Sequence, residues 1–426
     1  MKIYTGNEIH GYLKTLKNRR LFDSDSLHET VSSIIREVRV NGDKAVFAFT
    51  KKLDGADLHS LRVPEDKLKA AETALTPEIR TNLLQAAENI REFHRHQVEK
   101  TWLVEKEDDI LLGQKITPIE RVGVYVPGGK AFYPSSLLMN VIPAQVAGCN
   151  EIAVVTPVSR TGEVNPVVLG TCALLGITEV YSIGGAQAVA ALAFGTESIP
   201  PVDMIVGPGN QYVAKAKQLV FGFVKIDSIA GPSEVTIIAD SSADPEHLAI
   251  DLFSQAEHDE EAAVTLITPD SELAEKVLQV IPTLLEKQPR KEIIAASLAK
   301  YGGILVTENL DEAFILANQI APEHLELATE QPLEHLDKIQ HAGAVFLGHF
   351  SPEAVGDYFA GPNHVLPTCG TARFFSPLGV YDFIKRTSII QYSETAIRKH
   401  GKAISSLADL EQLTAHGDSI RIRGKG

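Results

Sequence analysis

Gln255 and His258 stand three apart near the end of the stretch Asp244–Asp259, DPEHLAIDLFSQAEHD, which the pattern predicts to be a helix. Both side chains then leave one side of that helix. An amide oxygen and a neutral imidazole on one face could hold a borderline metal ion. A capped helix end with two solvated polar residues presents the same pattern. Glu323-His324 lies between Pro322 and a predicted strand, so a carboxylate and an imidazole are offered together at a sheet edge. As a pair they could serve as a general base and a water activator, and two exposed polar residues at a strand start fit equally well. Glu353, Asp357 and His364 share a Gly/Pro-rich loop, and Glu411 and His416 come near the end of the sequence. Loops with convergent polar residues often carry function, although surface loops are polar in any case.

Three glycine-bearing strand ends could receive a nucleotide: Pro127-Gly128-Gly129, Gly184-Gly185-Ala186-Gln187 and Gly207-Pro208-Gly209-Asn210. Each precedes a helical segment, whose free N–H groups and dipole favour a phosphate. None is the dinucleotide fingerprint GxGxxG, and no acidic residue stands at the usual distance for ribose hydroxyls. Tight strand-to-helix turns that need Gly explain each of them separately.

The elements that must position these residues are legible from periodicity. Asp244 at an N-cap and Pro245 at the first helical position start the helix, and Leu248, Leu252 and Ala256 give it a buried face. Residues 1–20 are polar and carry no pattern. From Ser24 to about Trp102 the pattern is helical, with an apolar stripe at Val31, Ile34, Ile35 and Val38 and a second helix start at Thr76-Pro77. His94 and His96, two apart, point to different faces and are expected at the surface; Glu105–Asp109 is expected as a solvated loop. From Arg121 short apolar strands alternate with helical segments, first over 121–232 and again over 233–348. Such alternation predicts parallel sheets with helices on their faces. The expected fold is α/β: two adjacent Rossmann-like, doubly wound parallel-sheet units, a helical N-terminal region and a small C-terminal tail domain. Ligands in such sheets bind at the carboxyl ends of strands, where the Gly-rich and polar stretches are expected to lie. The tail, residues 377–426, reads as a strand and a helix and is too small for a core of its own.

Composition narrows the function. At 426 residues, 44% of them hydrophobic and 22% charged, the sequence is that of a soluble globular protein with two or three domains. A formal charge of −15, with no basic cluster carrying interleaved aromatics, argues against nucleic acid as a partner. Cys149, Cys172 and Cys369 are too scattered for a disulfide framework, which suits a reducing compartment, and the first two read as core residues. Met1–His10 lacks a basic-then-apolar leader and no apolar run reaches spanning length, so a cytoplasmic protein without membrane contact is expected.

The segments RVGVYVPGG, GGAQAVAALAFGTE, GPGN, AGPSE, DLFSQAEHD, APEHLE, SPEAVGDYFAGPNHVLPT and LTAH follow one another along nearly the whole sequence. In kind and order they resemble the histidinol dehydrogenase family. The resemblance implies a zinc- and NAD-dependent oxidation of histidinol to histidine through the aldehyde, the last steps of histidine biosynthesis. It implies zinc, or manganese, on Gln255, His258, Asp357 and His416, and an acid–base pair at Glu323 and His324. Ser233, Glu353, His364 and Glu411 are implied to line the substrate site together with Gln255, His258, His324, Asp357 and His416. Tyr125, Gln187 and Asn210 are implied NAD contacts. The family is a homodimer with exchanged tails, so Glu411 and His416 would serve the neighbouring site. The implied division is an arm at 1–21, a helical region at 22–123 packing with 233–376 as the catalytic domain, an NAD-binding domain at 124–232, and the tail at 377–426.

Oxidising an alcohol to an acid by two hydride transfers needs a base for the hydroxyl proton, a cofactor against the carbon and a water activated for the aldehyde. His324 is assigned as the base and Glu323 as the water activator. Three other readings stand beside this one: a relative that oxidises another small polar alcohol such as a hydroxy-sulfonate, a zinc hydrolase in which Glu323 activates metal-bound water, and a catalytically silent nucleotide binder.

Overall fold

The computed structural model describes residues 1–19, 24–128 and 132–424. The chain opens with strand β1 (Lys2–Thr5) and helix α1 (Glu8–Asn18), followed by α2 (Asp25–Leu53), α3 (Glu65–Ala74) and α4 (Pro77–Arg95). Side-chain oxygens start two of these helices: Ser24 accepts from the Leu27 N–H, and Thr76 from that of Ile79. β2 (Trp102–Lys106) and β3 (Ile110–Pro118) then pair antiparallel, so Glu105 lies in an exposed strand and only Glu107–Asp109 form the turn expected of that charge run.

The first alternating unit is β4 (Arg121–Tyr125), α5 (Pro134–Ala147), β5 (Glu151–Val155), α6 (Pro166–Leu174), β6 (Glu179–Tyr181), α7 (Gly185–Phe194), β7 (Met204–Val206), α8 (Gln211–Val220) and β8 (Lys225–Ile226). The second comprises β9 (Glu234–Ala239), α9 (Pro245–Ala256), β10 (Ala263–Thr268), α10 (Ser271–Leu285), α11 (Lys291–Tyr301), β11 (Gly302–Val306), α12 (Leu310–Ile320), β12 (His324–Ala328) and β13 (Ala344–Leu347). A short helix α13 (Glu353–Tyr358) precedes the tail: β14 (Ile384–Gln391), α14 (Glu394–Leu410) and α15 (Thr414–Arg421). The tail thus has two helices where one was expected, because Gln412, at φ 60°, breaks the pattern between them.

Both large sheets are parallel. The first runs β6-β5-β4-β7-β8 and the second β1-β11-β10-β9-β12-β13. In each, the chain winds outward one way from its first strand and then the other way. The topological switch points therefore fall between β4 and β7 and between β9 and β12. The fully buried strands β9, β10 and β12 are what helices on both faces demand.

Three further expectations about the N-terminal third change. The arm is not featureless: β1 pairs in parallel with β11 at the edge of the second sheet, and Tyr12 of α1 is buried, its hydroxyl 2.7 Å from Thr265 Oγ1. A four-residue edge strand is too short to show a period. The helical region packs chiefly on the first unit rather than on 233–376. Val31, Ile34 and Val38 of α2 share one core with Val189, Leu192 and Val213, and Leu68, Ala86 and Ile90 share another with α5 and α6. The apolar stripe was legible, but a stripe does not name the surface that it covers. His94 is fully buried, its Nδ1 2.7 Å from the Ile90 carbonyl, while His96 is exposed as expected.

Candidate functional site

The α9 start forms as its residues dictate: the Asp244 carboxylate accepts from Glu246 and His247 N–H groups, Pro245 follows, and Leu248, Leu252 and Ala256 are buried. The helix ends at Ala256, so His258 sits in the turn beyond it and its N–H donates to the Gln255 carbonyl at 3.2 Å. Gln255 is buried and points at the start of β12, where its Nε2 lies 2.8 Å from His324 Nδ1.

Glu323 and His324 are both buried. Ala321, in the left-handed region at φ 54°, ends α12 and turns the chain sharply into β12. The Glu323 carboxylate accepts from the Glu234 N–H at 3.0 Å, and the Glu234 carbonyl lies 3.3 Å from His324 Nδ1. Burial pushes the Glu323 carboxyl up to about 7. For His324 burial opposes the charged form, but Glu353, Glu323 and Asp357 outweigh it and raise the imidazole to about 10. Its Nε2 has no hydrogen-bond partner among the described residues; Asp357 Oδ1, at 3.6 Å, is too far for one.

This pair lies at the amino ends of β9 and β12, not at the carboxyl ends where the polar stretches were expected. The switch point is used, from the opposite edge, because the Pro322–His324 corner precedes its strand.

The loop after β13 completes the cluster. Glu353 opens α13, is buried, and sets its Oε2 3.8 Å from His324 Nδ1, with no hydrogen-bond partner among the described residues. Burial raises its carboxyl well above the ordinary range. Asp357, one turn on, lies 3.9 Å from His364 Nδ1. Burial opposes its ionisation, yet the His324 imidazole beside it keeps its pKa low. His364 is lowered by burial, and so is His258, although the latter's ring keeps access to solvent. Ligand atoms of His258, Glu353 and Asp357 all lie within 4.8 Å of one another. Ser233 stands half-buried just before β9. Glu411 and His416 are exposed on the tail and are not among the three converging residues.

Glu326 was not singled out from sequence. Two residues after His324 on β12 it points to the same face, is buried, and its Oε1 accepts from the Glu353 N–H at 2.8 Å. An acid at an alternate position of HLELA was the available signal.

At the switch point of the first sheet, Tyr125 ends β4 and its buried hydroxyl accepts from the Gly185 N–H at 3.0 Å. Gln187 in the first turn of α7 is buried, its Oε1 without a hydrogen-bond partner among the described residues. Asn210 caps α8 through the Tyr212 and Val213 N–H groups. Gly207, at φ 112°, passes so close to β4 that an added Cβ would meet the Tyr125 carbonyl oxygen at 2.1 Å, so only Gly fits. The Asp227 carboxylate accepts from its N–H at 2.8 Å, and the buried Lys217 ammonium donates to its carbonyl at 2.9 Å. Gly129 lies outside the described residues.

A family model described as histidinol dehydrogenase matches residues 17–424. The chain belongs to the histidinol dehydrogenase family. It is 52% identical over 423 residues to a histidinol dehydrogenase of Halalkalibacterium halodurans, covering 99% of both chains. It is 53% identical over 403 residues to that of Syntrophotalea carbinolica, covering 94% and 93%. The crystal structure of histidinol dehydrogenase from Elizabethkingia anophelis matches with a TM-score of 0.94 at 39% identity, over 99% of this chain and 98% of that one. A family of dehydrogenases makes this chain an oxidoreductase enzyme, and the hydrolase and silent-binder readings fall away.

Proposed function

We propose that this chain oxidises histidinol to histidine through the aldehyde in two NAD-linked steps, at a site that holds one zinc ion. The observation that carries the reading is the convergence of the buried pair Glu323-His324 with the donor group His258, Glu353 and Asp357. Two carboxylates and an imidazole without a thiolate suit zinc, with manganese the alternative. The buried Oε2 of Glu353 needs a proton or a cation to be stable there. His258, Asp357 and the Gln255 amide oxygen would hold the ion, with His416 brought by the tail of a second copy in a homodimer; Glu353 is close enough to join them. Zinc, when bound, supplies positive charge that orients the substrate's nitrogens, and NAD⁺ supplies the electron acceptor.

The chain's own residues do the proton work. In the neutral base the Nδ1–H is donated to the Glu234 carbonyl 3.3 Å away, which leaves Nε2, without a partner among the described residues, to take the substrate hydroxyl proton. Charge neutralisation of Glu353 and Asp357 withdraws the support that keeps the imidazole protonated, and burial then favours the neutral base. Glu323 takes the proton from the water that hydrates the aldehyde; near 7, its carboxyl exchanges protons at neutral pH. Ser233, Glu353, His364 and, from the second copy, Glu411 would line the substrate. Tyr125, Gln187 and Asn210 gather at the switch point of the first sheet, which supports their assignment to NAD. The free cysteines suit a cytoplasmic enzyme. No described helix is long and apolar enough to cross a membrane.

NADH formation from histidinol tests the reading. Two NADH per histidinol are expected, lost on chelation and restored by zinc. Glu323→Gln should release about one NADH per site in a burst and stall at the aldehyde, whereas His324→Asn should slow the first oxidation. Chelator-insensitive turnover, or normal conversion of added aldehyde by Glu323→Gln, would overturn it.

A further inference from the structure

We propose that Arg19 and Glu234 form a buried positioning pair that holds the peptide of Glu234 against Glu323 and His324, so that the N-terminal arm sets the geometry of the acid–base pair. The proposal rests on the acid–base reading of those two residues. Arg19 closes α1, and its side chain is 1% exposed. Its guanidinium donates to the carbonyls of Pro232 at 3.1 Å, Ser233 at 3.4 Å and Glu261 at 3.0 Å, and to Glu234 Oε2 at 2.7 Å. A planar fork of five donors can tie three consecutive residues in this way; a lysine ammonium cannot. The other oxygen, Glu234 Oε1, accepts from the Gly370 N–H at 3.2 Å. Glu234 is therefore clamped through its side chain from behind. In front, its N–H holds Glu323 Oε2 at 3.0 Å and its carbonyl faces His324 Nδ1 at 3.3 Å.

Stability does not explain the pair, because a buried ion pair gains little over an apolar pair of similar volume once desolvation is counted. What apolar side chains would not do is fix Pro232–Glu234 along the strand direction. A slide of β9 there would move the Glu234 N–H off Glu323 and its carbonyl off His324 together.

The test uses the full-length, zinc-loaded enzyme and separates kcat from KM for histidinol, with metal content and thermal midpoint measured alongside. Arg19→Met should lower kcat per metal-loaded site by about 10- to 100-fold, the cost of a misplacement of about 1 Å, with KM within about two-fold. Arg19→Lys should recover part of that loss. Should Arg19→Met fail to fold, Glu234→Gln carries the test: it keeps the size of the side chain and should lose at least about five-fold in kcat at unchanged KM. A purely structural role would lower the thermal midpoint and leave kcat per loaded site at the parental value, and that result in Arg19→Met or, failing it, Glu234→Gln overturns the proposal. Glu323→Gln and His324→Asn are the controls. If both keep parental kcat, the acid–base reading itself fails; if both are impaired while the pair variants are not, only the positioning role fails.

Discussion

Glu326 and Asp251 line one small cleft beside the site, together with His247 and His349. Burial pushes Glu326 up to about 8, with the nearby Asp251 charge adding to it, and burial pushes Asp251 up to about 6. An acid whose pKa is raised by folding contributes stability that is fully present below its unfolded pKa and is lost as pH rises through the folded value. The metal-free chain should therefore lose stability through Glu326 between roughly pH 4 and pH 8. Glu326→Gln cannot ionise and still offers an oxygen to the Glu353 N–H. Relative to the parent, its unfolding free energy in denaturant should improve on going from pH 5 to pH 8 by more than about 1.4 kcal/mol, the worth of one pKa unit. A difference that stays flat with pH would show that Glu326 ionises normally in the fold.

Helix α9 connects packing to chemistry, since it carries Gln255 on its last turn and buries Leu248, Leu252 and Ala256 against its sheet and neighbouring helices. Leu252→Ala should cost about 2–5 kcal/mol of stability, the range for truncating a buried leucine. Because Gln255 lies three residues further on, the same variant should also weaken metal binding, measured by zinc retention during dialysis. Unchanged retention would mean that α9 holds Gln255 independently of its buried face. The start and buried face of this helix were legible because capping and a period near four are local. The pairing of β1 with β11, the burial of His94 and the ties of Arg19 were not, since each depends on partners more than two hundred residues away in sequence. Type and spacing singled out Gln255, His258, Glu323, His324, Glu353 and Asp357 and the resemblance gave them roles, but the convergence of these six became visible only with the corner at Pro322–His324 and the short helix α13 in place. Where the helical region packs could not be read from its stripe, which specifies an apolar neighbour but not which sheet provides it.

At the scale of the whole molecule, the tail sits on a separate three-stranded sheet, β14 against β3 and β3 against β2, and leaves much apolar surface uncovered. Ile390 is 72% exposed, Leu410 80%, and Phe350, on the loop that leads into α13, 89%. Large exposed apolar side chains near both the tail and the site suit a face that a second copy covers. Under the proposed reading each tail closes the neighbouring site, and a mixture of two inactive variants decides the point. One protomer carries His258→Asn, a defective body with an intact tail, and the other His416→Asn, the reverse. Each alone should lose zinc and turnover while remaining folded. With exchanged tails, every heterodimer pairs the intact body with the intact tail at one of its two sites. Random co-assembly makes about half of the dimers mixed, so about a quarter of all sites should regain activity. If each tail instead serves its own body, no site in any dimer is whole, and verified heterodimers without activity would remove the exchange.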